Sequence, residues 1–158
     1  MLAARDRNGR SFMRLQISSR LAVFALLDLA GRPEQQLSVA QIGDKYGVSS
    51  HHLAKVMQVL SRAGLVRAVR GAGGGYQFSG NARRTTLLDV IQLFENSASS
   101  DIHTAAGEST AEGRGLSEVL DEIDDIVRAT LGSITIATML KIVGRRQIEG
   151  RPRVAAAR

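Results

Sequence analysis

Two serines and two histidines, Ser49-Ser50-His51-His52, stand one turn ahead of Lys55 and head a run in which Leu53, Val56, Met57 and Leu60 fall at helical spacing. Hydroxyls and free N–H groups at the start of a helix hydrogen-bond phosphate oxygens, and the positive end of the helix dipole favours an anion there. Imidazoles can meet base edges or phosphates, but adjacent residues lie about 100° apart on a helix. His51 and His52 therefore cannot face a duplex equally, and one of them is free to pack back on its own domain. Further on, Arg70 precedes Gly73, Gly74 and Gly75. A lone guanidinium beside a glycine-rich turn suits a narrow minor groove, where negative potential is enhanced. Arg14 and Arg20 are further candidates for phosphate contacts.

Other chemistry finds less support. The glycines of Gly71-Ala72-Gly73-Gly74-Gly75 are followed by Tyr76-Gln77-Phe78, which reads as a strand. A phosphate-binding loop needs Lys-Ser/Thr and then a helix, and a dinucleotide fingerprint needs a helix too, so both are rejected. Without cysteine the chain has no disulfide and no thiolate-bound metal. Asp101 and His103 could ligate iron, yet two such ligands do not make a site. Asp121, Glu122, Asp124 and Asp125 read as a solvated helix face. No nucleophile–base pair or pair of carboxylates on one scaffold is visible, so no catalytic residue is assigned and an enzyme is not expected.

The elements that must position these groups form a mainly α fold, a winged helix-turn-helix with a two-stranded wing and a long C-terminal helix. A helix from Ser18 to Ala30 carries Leu21, Val23, Phe24, Leu26, Leu27 and Leu29 and stops at Gly31-Arg32-Pro33. Ser38 caps a short helix with Val39, Ile42 and Tyr46 on one face, closed by Gly47. Ser49 or Ser50 caps the next, which ends at Ala63-Gly64. Two short helices about a turn have the helix-turn-helix layout, the second reading the major groove. Residues 65–70 and 76–78 alternate as strands around a loose glycine tip. Thr86 caps a helix with Leu87, Leu88, Val90, Ile91 and Phe94.

Residues 96–115 lack apolar periodicity and read as a flexible loop. From Leu116 a helix repeats Leu116, Leu120, Ile123, Val127 and Leu131, with Val119, Ile126 and Thr130 beside them. Such a stripe on a terminal helix suits pairing with a second copy, as in a coiled coil, or else packs on its own domain. Gly132 ends it, Thr135 caps a last helix to about Val143, and residues 144–158 read as a basic disordered tail. Residues 1–12 read as a polar extension, leaving the DNA-binding domain at 13–95.

The chain of 158 residues has a net charge of +6, unevenly placed. Residues 1–95 hold thirteen Lys/Arg against six Asp/Glu, whereas 101–125 holds eight acids and one Arg. A basic first part points to a polyanionic partner. No apolar run approaches a membrane span and Met1 to Arg7 lacks the core of a secretion signal, so a cytoplasmic protein is expected.

The stretch from Met13 to Glu95, and more loosely on to Val143, resembles the IscR/NsrR family of winged helix-turn-helix transcription regulators. The matching pieces are Arg20 to Ala30, Gly47-Val48-Ser49-Ser50-His51-His52-Leu53, and above all Arg62-Ala63-Gly64-Leu65-Val66-Arg67-Ala68-Val69-Arg70-Gly71-Ala72-Gly73-Gly74-Gly75-Tyr76. His52 to Val56 is closer to the nitric-oxide-responsive branch, and Ala54 stands where the cluster-assembly branch has a discriminating Glu. The resemblance implies a homodimer on double-stranded DNA at an inverted repeat, more often a repressor than an activator. The alternative is a winged-helix module that binds protein. Many family members hold an iron–sulfur cluster on three cysteines of the loop before the dimer helix. Here Ser97 to Ser100 and Gly107 to Thr110 lie in that loop, so no cofactor is expected in this chain. Either it never bound a cluster, or a cysteine-containing parent form did and was redox or nitric-oxide responsive.

Overall fold

Buried apolar residues cover more than half the circumference of the first helix, α1 (Ile17–Ala30): Leu21, Ala22, Val23, Ala25, Leu26 and Leu29 are all enclosed. The computed structural model describes residues 15–95, 107 and 109–149, and α1 is the element the others surround. A helix apolar over so wide an arc must be covered by several partners. Those partners are α3 (Ser50–Arg62), α4 (Leu87–Glu95), α6 (Ile136–Glu149) and the strand β2 (Gly75–Phe78). Leu53, Val56, Met57 and Leu60 of α3, Val90 and Ile91 of α4, and Ile136 of α6 complete one core.

Most helix starts are set by local side-chain chemistry. α2 (Val39–Tyr46) begins with a reciprocal capping box between Ser38 and Gln41, and Gly47 ends it in the left-handed conformation, φ 65°. Ser49, rather than Ser50, caps α3 by accepting from the His52 N–H at 3.3 Å. Thr86 and Asp89 exchange bonds of 2.8 and 3.1 Å at the head of α4. Each such cap satisfies backbone donors that a helix start otherwise leaves unpaired.

Leaving α3, the chain turns through Gly64, φ 74°, into β1 (Val66–Val69). β1 pairs antiparallel with β2, Val66 opposite Phe78 and Val69 opposite Gly75. Leu37 adds a bridge to Tyr76 on the free side of β2. Gly75 is therefore a strand residue, not part of the tip, and its lack of a side chain serves the fold. A Cβ there would stand 2.4 Å from the Leu37 carbonyl oxygen.

The long helix α5 (Ala111–Ser133) starts five residues before the expected Leu116, so 111–115 is not loop. Its cap is Thr110, whose hydroxyl accepts from Gly113 N–H at 3.0 Å. The first turn carries no apolar stripe, so periodicity cannot detect it. α6 likewise runs past Val143 to Glu149, which corrects the tail over 144–149. Gly144 costs a helix only about 1 kcal/mol, and Arg145, Arg146 and Gln147 are good helix formers. The remaining tail, the 1–12 extension and most of the 96–110 loop lie outside the described residues. Backbone bonds from Leu87 N–H to Ile134 O (2.8 Å) and Ile136 N–H to Thr85 O (2.9 Å) anchor the α5–α6 junction to the head of α4. Among the described residues, no helix is long and apolar enough to cross a membrane.

Candidate nucleic-acid interface

The buried and exposed faces of α3 divide its side chains cleanly. Leu53, Val56, Met57 and Leu60 face the core, and His51, Lys55, Gln58 and Arg62 are all exposed. Those four are spaced i, i+4, i+7 and i+11, which puts them within about 60° of one another on a helix. The result is one outward stripe of hydrogen-bonding and cationic groups. Gln58 and Arg62 were not singled out from the sequence. The same 3.6-residue period that marks the buried face would have found them, had it been applied to the polar residues.

Ser49 and Ser50 are exposed at the head of the stripe. The two histidines separate as expected. His51 is exposed, whereas His52 is half-buried with Nε2 3.3 Å from Ser18 Oγ of α1. His52 is thus a strut between helices, and it does not share the outward face.

A further contact fixes α2, the other half of the motif. Lys45 pairs with Asp28 of α1 and lies 5.0 Å from the centre of the Tyr46 ring, which stacks on Phe24. Burial acts to lower the Lys45 pKa, but bonding to Asp28 and Tyr46 and the Asp28 charge outweigh it, and the net direction is upward. Burial pushes the Tyr46 phenol up as well. Lys45 thus ties the end of α2 to α1 through an exposed ion pair.

Arg70 is exposed where the chain leaves β1, at the edge of a turn closed by Gly74 N–H to Gly71 O at 2.9 Å. Gly73 is exposed at the tip with φ 76°. Gly74 is close-packed against its own hairpin, a Cβ there falling 2.7 Å from Val69 O. Arg67 points along the wing, its guanidinium bonded to Gln77 Oε1 at 2.9 Å. Arg20 is exposed on the first turn of α1, and Arg14 lies outside the described residues.

The stripe expected on the long helix divides in two. Leu131 packs against the core of its own chain and Val127 is half-buried. Leu116, Val119, Leu120, Ile123 and Ile126 are 61, 52, 52, 49 and 66% exposed, and no residue of α5 is buried. Val119 and Ile126 thus belong to the uncovered patch more than Leu131 does.

The Rrf2 family profile, described as an iron-dependent transcriptional regulator, matches residues 15–142. This chain belongs to the Rrf2 family. It is 47% identical over 148 residues to the proposed HTH-type transcriptional regulator BadM of Rhodopseudomonas palustris, covering 92% of this chain and 94% of that protein. It is 30% identical over 131 residues to the HTH-type transcriptional regulator IscR of Vibrio campbellii, covering 82% and 78%. Among solved structures, T. potens IscR superposes with a TM-score of 0.69 at 29% identity, covering 86% of this chain and 92% of that one. The likeness to IscR-type regulators and the winged-helix architecture both hold. The chain is a DNA-binding transcription regulator of this Rrf2 type, and its relatives are named as regulators, not enzymes.

Among the described residues, the iron of the family description finds no matching donor set. The chain has no cysteine, and among the described residues no three His, Asp or Glu side chains gather in a group that could hold a metal. Asp101 and His103 lie outside the described residues.

Proposed function

We propose that this Rrf2 protein binds an inverted-repeat operator as a homodimer and acts as a repressor in the cytoplasm. The outward stripe His51, Lys55, Gln58 and Arg62 carries the reading, because it offers both base-edge donors and phosphate cations on the one helix of the motif that is free to enter a groove. Ser49 and Ser50 meet phosphate at the helix start, with Arg20 and Arg14 as outer phosphate contacts. Arg70 at the wing enters the flanking minor groove. The second copy is supported by the patch from Leu116 to Ile126, an exposed apolar stretch on a helix with no fully buried residue. Two copies related by a two-fold axis present two recognition helices, and a two-fold reader selects a two-fold site.

This chain is read as working without a cluster, since the soft thiolate ligands such a group needs are absent from its sequence. Selection from a pool of random duplexes tests the function. Enrichment of an inverted repeat, with half-sites about one helical turn apart, supports it. Enrichment of single half-sites, or none at low salt, overturns it.

A further inference from the structure

The two strands of the wing are not its only support. Between α1 and α2 the chain from Gly31 to Ser38 belongs to no helix or strand, yet Pro33, Gln36 and Leu37 are each bonded to the wing. Leu37 and Tyr76 exchange two backbone hydrogen bonds of 2.9 Å. The Pro33 carbonyl accepts from Gln77 Nε2 at 2.7 Å, while Gln77 Oε1 accepts from Arg67. Gln36 reaches furthest, its Nε2 donating to the Gly73 carbonyl at 2.8 Å, inside the tip itself.

We infer that this linker is a brace that sets the reach of the wing, and that Gln36 is the positioning residue that presents Arg70 already ordered to the groove. The inference rests on the reading of Arg70 as a minor-groove residue. Gly71 and Gly73 sit at φ 122° and 76°, and glycine populates both signs of φ about equally, so beyond the Gly74 N–H to Gly71 O bond the tip has little of its own to fix its shape. The Gln36 amide adds a restraint from outside the hairpin. Gln36 is exposed and takes no part in the core, so its bond has little leverage on folding. Its leverage is on binding. A tip that is not held must be ordered when the guanidinium enters the groove, and that ordering is subtracted from affinity.

The test is a double-mutant cycle on the selected operator with A/T-rich flanks, read alongside thermal unfolding. Gln36→Ala removes the side chain, and Gln36→Met keeps its length but removes the donor. Both variants are expected to melt with the wild type and to bind about two- to ten-fold more weakly. In an Arg70→Ala background neither should weaken binding further. Additive losses in the double variants, a lowered melting temperature, or full affinity in both Gln36 variants while Arg70→Ala is impaired would each overturn the brace and leave the Arg70 reading standing. Unchanged affinity of Arg70→Ala itself would remove the minor-groove reading, and the brace with it.

Discussion

His52 Nε2 lies 3.3 Å from Ser18 Oγ, so the second of two adjacent histidines in α3 is engaged with the start of α1 while the first faces outward. Substituting each should separate recognition from support. His51→Ala is expected to weaken operator binding by about 1–3 kcal/mol if the imidazole meets a base edge, with the melting temperature unchanged. His52→Ala should lower stability by about 1 kcal/mol, the scale of one hydrogen bond, with a smaller effect on affinity. Fluorescence anisotropy and thermal melts of the two variants decide it. The reverse ranking in affinity would sink the assignment.

Arg70→Ala should cost about 1–3 kcal/mol on operators with A/T-rich flanks and less on G/C-rich ones, because groove width is what an inserted guanidinium senses. Binding of the wild type should also fall steeply between two salt concentrations, since phosphate contacts release counterions. Equal affinities on matched operators that differ only in their flanks would take the wing out of the mechanism.

The patch on α5 and the end of α5 should respond differently. Ile123→Asp places a charge in the proposed helix pair and is expected to give a folded monomer by light scattering, because Ile123 is 49% exposed and touches no core of its own. Leu131→Ala should instead lower the melting temperature with the dimer retained, Leu131 being packed on its own domain. A wild-type monomer at micromolar concentration would refute the pairing.

Gly75→Ala should be more damaging than its one methyl suggests. The added Cβ would meet the Leu37 carbonyl at 2.4 Å, and backbone on a bridge can yield only by breaking that bridge. A loss of about 1–3 kcal/mol is expected, the usual cost of overpacking, measured by denaturant unfolding. Gly64→Ala, which has open space but φ 74°, should be destabilising through backbone strain alone. An unchanged unfolding midpoint for Gly75→Ala would count against the Leu37–Tyr76 bridge.

Purified chain should be colourless and should take up no stoichiometric chromophore on anaerobic reconstitution with iron and sulfide, for want of thiolates. A visible absorption band at one cluster per chain would contradict this and turn attention to Asp101 and His103.

Helix existence and type were legible without coordinates because caps and apolar stripes are interactions between residues three or four apart. Ser38, Ser49, Thr86 and Thr135 mark helix starts by bonds that span three residues. The same locality explains the errors. The first turn of α5 contains Gly113 and Gly115 and no stripe, so nothing local separates it from loop, and the bond that starts it belongs to Thr110. The outward stripe of α3 is equally local, since the 3.6-residue period of its apolar face also aligns His51, Lys55, Gln58 and Arg62.

Charge placement, helix order, the absence of thiolates and the family were determined by the sequence alone, since each depends on residue type and near spacing. Tertiary structure decided which histidine faces outward, because Ser18 reaches His52 across 34 residues. It also decided that Leu131 packs on the core while Ile126 stays on the surface, though both lie in one apolar repeat. Periodicity states that a face is apolar but not what covers it, and only the junction at Ile134 to Ile136, bonded to Thr85 and Leu87, brings the end of α5 against the domain. Gly75 follows the same rule. A run of glycines signals backbone freedom or close approach, and the approach proved to be that of Leu37, distant in the chain and opposite in the sheet.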